Sequence, residues 1–262
     1  DEYYDEEDEP WMRELRGRQT IESAAAESAA RDEAIAETKR RLGLPEDQSF
    51  WLPDDILALY RDAGRRGSAS RAAWEIRVAA LGDRRVEWDA AQAGTGVPGW
   101  EDQLPSWEPG EVIATRKASN ACLQALANEV PGIIGGGADL TGNTGTAITG
   151  HGVQAADCPE GRQIYFGARE HAMGAVSNGL ALHGSHRPVA GTFLVFSDYM
   201  RGAVRLAALS RARSIFIWSH DSVGVGEDGP THQPIEQTAS LRVIPGLDVF
   251  RPADANETVG AW

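Results

Sequence analysis

The sequence has few cysteines, a shortage of basic residues and no long apolar run. Its 2 cysteines, Cys122 and Cys158, lack the C-x-x-C spacing of redox and zinc motifs, so we expect two reduced thiols in a cytoplasmic protein. No stretch reaches the ~18 uncharged apolar residues of a membrane helix, and the acidic first residues are unlike a secretory signal. A surplus of 39 acidic over 25 basic residues gives a net charge of -14, which argues against nucleic acid as a partner.

The first third of the chain is predicted to be helical. Residues 1–10, DEYYDEEDEP, hold seven acids and no base, which is typical of a solvated tail. A composition rich in Ala, Glu, Lys and Arg predicts a helix over 12–42, and start and stop signals predict another over 53–64. A third helix is predicted over 69–92, before a segment at 94–111 that is dense in Gly, Pro and Trp.

Strand and helix patterns alternate after Thr115. Strands are predicted from Ile133 and over 162–167, 187–194, 214–220 and 247–252, and helices over 115–130, 170–184, 197–210 with Ser197 as N-cap, 234–244 and 256–262. This alternation predicts an α/β fold with a mostly parallel sheet flanked by helices on both faces. Ligands bind beyond the carboxyl ends of such strands, where the chain reads GGGADLTGN, FGAREHAM, FLVFSDY and HDSVGVGEDGPTHQP.

Three of these stretches leave more than one interpretation open from the residues alone. GGGADLTGN matches no standard phosphate motif, so it is either a backbone anion site or a tight turn capped by Asp139. Glu170 is either held for a ligand, paired with Arg169, or placed at a helix N-terminus for its charge. The aromatic residues of FLVFSDY belong either to the core or to a stacking pocket for a flat heterocycle; they are Phe193, Phe196 and Tyr199.

The stretch 220–234, HDSVGVGEDGPTHQP, gathers charged groups after a buried strand. Two histidines twelve residues apart match no zinc spacing, so we predict no metal site within this chain. The chain has no G-x-S-x-G, which argues against a hydrolase nucleophile. His220, Asp228 and His232 together would instead suit a ligand with several hydroxyl groups.

In this order the motifs resemble the pyrimidine-binding domain of the transketolases, which depend on thiamine diphosphate. The resemblance covers about residues 110–262 and extends more weakly over 35–66. Deoxyxylulose-phosphate synthases share the DGPTHQ element but lack the combination of REHAM, FSDY and PIEQ. The matching stretches are ATRKAS (114–119), GGGADLTG (135–142), GAREHAM (167–173), NGLALHG (178–184), GTFLVFSDYMRGAVRLAALS (191–210), HDSVGVGEDGPTHQPIEQTASLR (220–242) and RPADANE (251–257).

The resemblance implies how the chain is organised. Residues 111–262 would form a pyrimidine domain of the thiamine diphosphate-binding fold, truncated at its C-terminal end. Residues 35–110 would be a helical inter-domain connection, and residues 1–34 an acidic tail and helix left from a preceding domain or linker. The GDG motif through which the family's amino-terminal domain holds the diphosphate and its Mg or Ca ion is absent from the sequence. We therefore expect an incomplete chain that is inactive alone, because each site of the family's homodimer uses two domains.

The resemblance also assigns roles to matching residues. Glu170 matches the glutamate that hydrogen-bonds a ring nitrogen of the aminopyrimidine, and His232 matches a histidine beside the reacting carbonyl, so both are catalytic candidates. The other cofactor-binding positions are Asp139, Phe193, Phe196 and Tyr199. The substrate-binding positions are Arg116, Asn143, His220, Asp228 and His232. Two departures from the family pattern are Asn143, where serine is common, and Ala168, where a branched aliphatic residue is common.

The implied reaction is transfer of a two-carbon ketol group from a ketose phosphate to an aldose phosphate in the pentose phosphate pathway. A dihydroxyacetone synthase or another ketol transferase of the superfamily stays open because of Asn143. A non-catalytic pyrimidine-domain protein that only dimerises or binds a partner is the alternative of a different class. The presence of both Glu170 and His232 favours the enzyme.

Overall fold

The computed structural model describes residues 10–262 and divides into two compact units, which meet in sequence between Ile76 and Arg77. The tail predicted for residues 1–10 lies outside the described residues except for Pro10. Across the described range, none of the helices is both long and apolar enough to cross a membrane. The helices are α1 (Pro10–Leu42), α2 (Asp54–Arg66), α3 (Ser68–Ala79), α4 (Arg85–Ala93), α5 (Thr115–Glu129), α6 (Thr141–Thr144), α7 (Glu170–His183), α8 (Ser197–Ser210), α9 (Gln237–Arg242) and α10 (Ala255–Ala261), and the strands are β1 (Ile133–Gly137), β2 (Arg187–Phe193) and β3 (Ile215–Ser219).

The first unit contains the helices predicted over 12–42 and 53–64, which are confirmed as α1 and α2. The turn after α1 is held by its last basic residues. Lys39 Nζ donates to the carbonyls of Glu46 and Gln48 at 3.0 and 2.8 Å, and Arg40 donates to the Glu46 carboxylate at 3.0 Å. These side chains are exposed, so each contact contributes little free energy and mainly fixes the path of the turn.

The second unit is organised around a parallel sheet with strand order β1-β2-β3. Val189 in the central strand pairs with Gly135 on β1 and with Ile215 on β3. The chain passes from β1 to β2 through α7, and from β2 to β3 through α8, which are the long crossovers that parallel strands need. The predicted α/β fold with a parallel sheet is confirmed.

Both faces of this sheet are covered by helices. Successive side chains of a strand point to opposite faces, so neighbouring residues of β2 enter different clusters. Ala190 lies in a buried cluster with residues of α7, α8 and α9, namely Met173, Met200, Val204 and Leu241. Val189 lies in a second cluster, with Leu123, Leu126 and Ala127 of α5. Because helices pack on both faces, the strand ends are the part of the sheet that is left for a site.

Helices α7 and α8 approach each other closely on the first of these faces. Gly174 of α7 faces the buried side chains of Ala203 and Met200 on α8. Asn178 Nδ2 donates to the Ala203 carbonyl at 2.8 Å, while its Oδ1 accepts from the Ser214 hydroxyl at 3.1 Å. Asn178 thus links α7 both to α8 and to the residue before β3.

Distant parts of the second unit are tied together by side-chain hydrogen bonds. Trp262 Nε1 donates to the Ser119 hydroxyl on α5 at 3.0 Å. Asn256 of α10 donates to the Trp107 carbonyl at 3.0 Å and accepts the Trp107 amide N–H at 3.1 Å. The segment rich in Gly, Pro and Trp is therefore held against the last helix at Trp107.

The single helix predicted over 69–92 is wrong. The structure has α3, a short 3₁₀ turn over Gly82–Arg84 and then α4. The break coincides with Gly82, whose φ of +57° lies in the left-handed region that glycine adopts without strain.

The strand predicted over 162–167 is also wrong. Only Gln163 forms bridges, to Gly135 and Val153. The backbone of this stretch still bonds to Gly135 and Gly137 of β1, without forming a regular strand. The buried Gln163 side chain adds two bonds, because it accepts from the Ile148 amide at 2.6 Å and donates to the Gly135 carbonyl at 3.2 Å. The chain then turns at Gly167, where φ is +67°.

Two further predictions near the end of the chain fail. Residues 247–252 form no strand, and Pro252 at the end of this stretch has no N–H to donate to a ladder. Ser197 is not an N-cap but the first residue of α8, because a 3₁₀ turn over Leu194–Phe196 leads straight into the helix. Its hydroxyl is buried and has no hydrogen-bond partner among the described residues.

Both cysteines are free, as their spacing predicts. Cys122 lies on α5 with no exposed surface, and burial raises the pKa of its thiol to about 11. A thiol in that environment stays protonated and unreactive at neutral pH.

The contact between α7 and α8 gives a matched pair of glycine substitutions. A Cβ at Gly174 would lie 2.8 Å from the Ala203 Cβ and 3.1 Å from the Met200 Cε, whereas a Cβ at Gly179 of the same helix would meet nothing within 4 Å. We expect Gly174→Ala to lower the free energy of unfolding by about 1–3 kcal/mol through overpacking. We expect Gly179→Ala to raise it by up to about 1 kcal/mol through helix propensity. Urea unfolding measures both, and changes of the same sign would contradict the close approach.

Candidate functional site

The carboxyl ends of the three strands lie at one edge of the sheet. β1 ends two residues before Asp139, β2 ends at Phe193, and β3 ends directly before His220. Parallel strands share an edge at their carboxyl ends, and this is where ligands bind in such sheets. The predicted site residues therefore come from neighbouring loops although they are far apart in sequence.

An aromatic cluster joins the end of β2 to the loop after β3. The rings of Phe193 and His220 are stacked with centroids 3.7 Å apart. His232 lies edge-on to Phe193 at 5.8 Å and to Phe196 at 5.1 Å. Phe196 also contacts Tyr199, at 5.9 Å. Phe193 is 5% exposed and Tyr199 is 69% exposed, so the open aromatic surface lies at the Tyr199 end.

His220 has a left-handed backbone, with φ +55°, which costs energy in a residue other than glycine. The next residue is held firmly. Arg251 Nε donates to the Asp221 carboxylate at 2.6 Å, and Arg251 Nη2 donates to the Asp221 carbonyl at 3.1 Å. These bonds fix the chain just after the strained residue and so help to direct the imidazole towards Phe193.

Three parts of the chain meet at the backbone carbonyl of Asn143. Arg116 Nη1, from α5, donates to this oxygen at 3.3 Å, and the Ser219 hydroxyl, from β3, donates to it at 3.4 Å. Ser219 Oγ is also 2.9 Å from His220 Nδ1. Arg116, Asn143 and His220 are thus joined, with the backbone of Asn143 rather than its side chain making the contact.

The surroundings of His220 lower its pKa below the ordinary value of 6.5. Burial has the largest effect because it disfavours the charged ring, and the positive charge of Arg116 adds to it. His232 acts in the same direction, whereas Asp228 and Asp221 oppose it. The imidazole of His220 is therefore neutral at neutral pH in the absence of a ligand.

Glu170 is the first residue of α7, where the helix dipole favours a carboxylate. Its Oε1 accepts a hydrogen bond from the Thr192 hydroxyl at 3.3 Å, which brings it beside Phe193 at the end of β2. Arg169 donates instead to the Phe166 carbonyl at 3.0 Å, so the alternative in which Glu170 pairs with Arg169 is wrong. The carboxylate has further lone pairs with which to accept a bond from a ligand.

Asp228 and Asp139 are the predicted site residues at the margin of this group. Both are exposed. Asp228 is near enough to His220 to influence its pKa. Asp139 has a left-handed φ of +64° and caps neither the turn nor α6 with its side chain, so its interpretation as a cap is wrong.

The edge of the sheet supplies groups for an organic anion rather than for a metal ion. No three His, Cys, Asp or Glu side chains converge as metal ligands in the described part of the chain. The groups that do converge are aromatic rings, a carboxylate, two imidazoles and a guanidinium. Such groups suit a flat heterocycle at one end and a phosphate at the other.

Comparison with known proteins accounts for this arrangement. Residues 111–262 match the family described as transketolase, pyrimidine binding domain. The chain belongs to this family. The transketolase of Mycobacterium tuberculosis is 45% identical over 249 residues, which make up 90% of this chain and 36% of that protein. The solved transketolase of Leishmania mexicana has a TM-score of 0.79 and 43% identity, and the match covers 88% of this chain and 35% of that one.

A solved Pichia stipitis transketolase, a complex with sedoheptulose-7-phosphate, matches with a TM-score of 0.79 and 38% identity. That match covers 88% of this chain and 36% of the other. The transketolase-family chain of 262 residues therefore spans little more than a third of the length of these relatives.

Four side chains that sequence reasoning did not single out support the predicted site of this transketolase pyrimidine domain. Gln237 is 3% exposed; it donates to the Asp198 carboxylate at 2.8 Å and accepts the Ile235 amide N–H at 3.0 Å. It therefore links the start of α8 to the loop after His232. The four side chains are Thr192, Ser219, Gln237 and Arg251. Thr192, Gln237 and Arg251 lie inside the quoted motifs, which is their only sequence signal, and Ser219 directly precedes one of them.

The charges around His220 predict opposite effects of two substitutions. Arg116→Met should raise the pKa of His220 by removing a positive charge, and Asp228→Asn should lower it by removing a negative one. NMR titration of the ring resonances, assigned by their loss in His220→Gln, measures both. Arg205→Met, at an exposed position on α8, is the control that should leave the pKa unchanged. Shifts of the same sign in the two site variants would contradict this electrostatic description.

Proposed function

We propose that this chain supplies the pyrimidine-binding side of a transketolase site, in which a two-carbon ketol group passes from a ketose phosphate to an aldose phosphate. The observation that carries the proposal is the convergence of two kinds of surface at one sheet edge. Glu170 and the aromatic cluster form one, and Arg116 with His220 forms the other. A heterocyclic cofactor and a phosphorylated sugar require these two surfaces.

The aromatic end fits the aminopyrimidine of thiamine diphosphate. Phe196 and Tyr199 contact each other and Phe193 stacks on His220, while the half-buried Glu170 is bonded to Thr192, the residue before Phe193. Glu170 would share a proton with a ring nitrogen of the bound heterocycle and hold it in one orientation, with Thr192 fixing the carboxylate. When bound, the cofactor supplies the electron sink for cleaving the bond beside a ketose carbonyl. Asp139, at the end of β1, is assigned to the same cofactor.

The other end fits the phosphate of a sugar. The Arg116 guanidinium is permanently charged and presents a planar set of donors that matches a phosphate. His220 lies beside it through the Asn143 carbonyl and Ser219. Solved transketolases of Pichia stipitis are complexes with sedoheptulose-7-phosphate, xylulose-5-phosphate and fructose-6-phosphate, which supports sugar phosphates as the ligand class here.

His232 and Asp228 are assigned to the part of the substrate that reacts. His232 is edge-on to Phe193 and Phe196, which restrict its ring between the two ends of the site. An imidazole there would move a proton or stabilise negative charge at the substrate carbonyl. Asp228, in the loop before it, would accept a hydrogen bond from a substrate hydroxyl.

The rest of the site is assigned to protein outside these 262 residues. The sequence has no GDG motif, so the diphosphate and its Mg²⁺ or Ca²⁺ would be held elsewhere. We infer a homodimer with the site between two subunits, acting in the cytoplasm and in the pentose phosphate pathway. Residues 111–262 would be the pyrimidine domain, 35–110 the inter-domain connection and 1–34 the remnant of a preceding segment.

The departure at Asn143 does not favour a dihydroxyacetone synthase or another ketol transferase. Its backbone carbonyl, not its side chain, contacts Arg116 and Ser219. A serine at this position would offer the same carbonyl. These contacts do not distinguish the two activities, whereas the family match and the transketolase relatives favour transketolase.

Removing the carboxylate of Glu170 tests the proposal. In the protein that carries this chain, assayed with thiamine diphosphate, Mg²⁺, xylulose-5-phosphate and an aldose phosphate acceptor, Glu170→Ala should lower ketol transfer by roughly 10²–10⁴-fold. The fold should persist, because the substitution removes a single 3.3 Å hydrogen bond, from the Thr192 hydroxyl at the end of β2. Product formation and circular dichroism measure the two effects.

A matched control is Glu160→Ala, which removes an exposed carboxylate from a loop outside the site. It should leave ketol transfer within about twofold of the unmodified protein, since nearly neutral effects are usual at exposed positions. Undiminished transfer in the Glu170→Ala protein would refute the role given to Glu170 and, with it, the proposed function.

A further inference from the structure

The proposed function assigns no role of its own to Ser219. It is the last residue of β3. Its hydroxyl lies in the part of the site proposed to bind the sugar phosphate, which is formed by Arg116, the Asn143 carbonyl and His220 and is called the anion-binding end below. Its Oγ is 3.4 Å from the Asn143 carbonyl and 2.9 Å from His220 Nδ1. The same carbonyl accepts from Arg116 at 3.3 Å. Ser219 thus connects the imidazole to the guanidinium through one backbone oxygen.

Donor and acceptor chemistry gives this chain of contacts a direction. A carbonyl oxygen can only accept, and a hydroxyl has one proton to donate. If Ser219 donates to Asn143, the second contact is satisfied only when His220 Nδ1 carries a hydrogen and donates to Oγ. If Ser219 donated to Nδ1 instead, two oxygens would face each other at 3.4 Å without a proton between them. The first arrangement uses both contacts and is the more stable.

We propose that Ser219 is a positioning residue that sets the ring tautomer of His220, keeping the hydrogen on Nδ1 and leaving Nε2 to face the phosphate of a ligand as the atom that takes up a proton. This inference rests on the proposed function, because it concerns the anion-binding end of the same site. Within the described residues Nε2 makes no hydrogen bond, whereas Nδ1 is occupied by Ser219. Nε2 is therefore the nitrogen available to a ligand.

The tautomer matters because the ring is neutral before a ligand arrives. Burial, Arg116 and His232 lower the pKa of His220, and Asp228 and Asp221 only partly offset them. A phosphate monoester adds negative charge next to Arg116 and therefore raises that pKa. Nε2 then takes one proton from solvent, the ring becomes a cation, and the new N–H can donate to a phosphate oxygen. Nδ1–H keeps its bond to Ser219 in both states.

Nitrogen-15 NMR of the histidine rings in the 262-residue chain, without ligand and well above the ordinary histidine pKa, tests the inference. In the unmodified chain we expect His220 Nδ1 to be the protonated nitrogen and Nε2 the bare one. Ser219→Ala should move the ring to predominant Nε2 protonation, because the acceptor that holds Nδ1–H is gone. Ser219→Thr keeps the hydroxyl and should restore the pattern. His220→Gln identifies the resonances.

Ser222→Ala is the matched control. Ser222 lies three residues after Ser219, in the loop that follows β3, and its hydroxyl accepts the Gly224 amide N–H at 3.1 Å. This substitution should leave the tautomer unchanged, which separates the specific bond from a general loosening of the loop. An Nε2-protonated ring in the unmodified chain, or an unchanged tautomer in Ser219→Ala, would overturn the inference. The readout needs no cofactor or activity, so it can fail while the Glu170 test succeeds, and the reverse.

Discussion

The parallel register of three short strands is the constraint on which the site depends. Because β2 pairs with both neighbours, the ends of β1, β2 and β3 are brought to one edge. A slip of one residue in β3 would exchange the faces of Trp218 and Ser219 and turn the hydroxyl away from Asn143. The helices that bury both faces therefore also fix the positions of groups that belong to neither core cluster.

The proposed anion-binding end, formed by Arg116 and His220, would have to act locally within an acidic protein. The net charge of -14 opposes the approach of a phosphate, so Arg116 must act over a short range. Physiological salt helps, because charges separated by more than about 8 Å are largely screened. The lowered pKa of His220 has the same consequence, since the neutral ring adds no positive charge to the ligand-free site. The site thus discriminates by local geometry more than by long-range attraction.

Much of the fold could be predicted from the sequence where burial produces a regular pattern. SIFIW lacks polar alternation because side chains of β3 extend both core clusters, although all 5 residues of the strand are half-buried and not buried as the pattern predicts. Helices α7 and α8 begin at the predicted residues, and their ends agree with the prediction to within one residue. Residues 162–167 are predicted as a strand but form only isolated bridges at Gln163, and the sequence pattern does not reveal that the Gln163 side chain also bonds to backbone groups. The motifs contain most of the predicted site residues. The hydrogen-bond partners of Thr192 and Ser219, which are Glu170 and Asn143, lie on other parts of the chain. Ser219 and Asn143 are 76 residues apart, which no local pattern can report.

Hydrogen bonds at the end of the described chain also join residues that are far apart in sequence, and this separation matters for folding. Trp107 and Asn256 are 149 residues apart, and Ser119 and Trp262 are 143 apart. Contacts of such separation form only after the entropy of closing a long loop has been lost, so they belong to the late steps of folding. Ser119 lies on α5 in the same turn of helix as Arg116, so the bond from Trp262 reaches the helix that carries the guanidinium. The bond therefore links the helix that carries the proposed anion-binding end to a part of the chain that is distant in sequence.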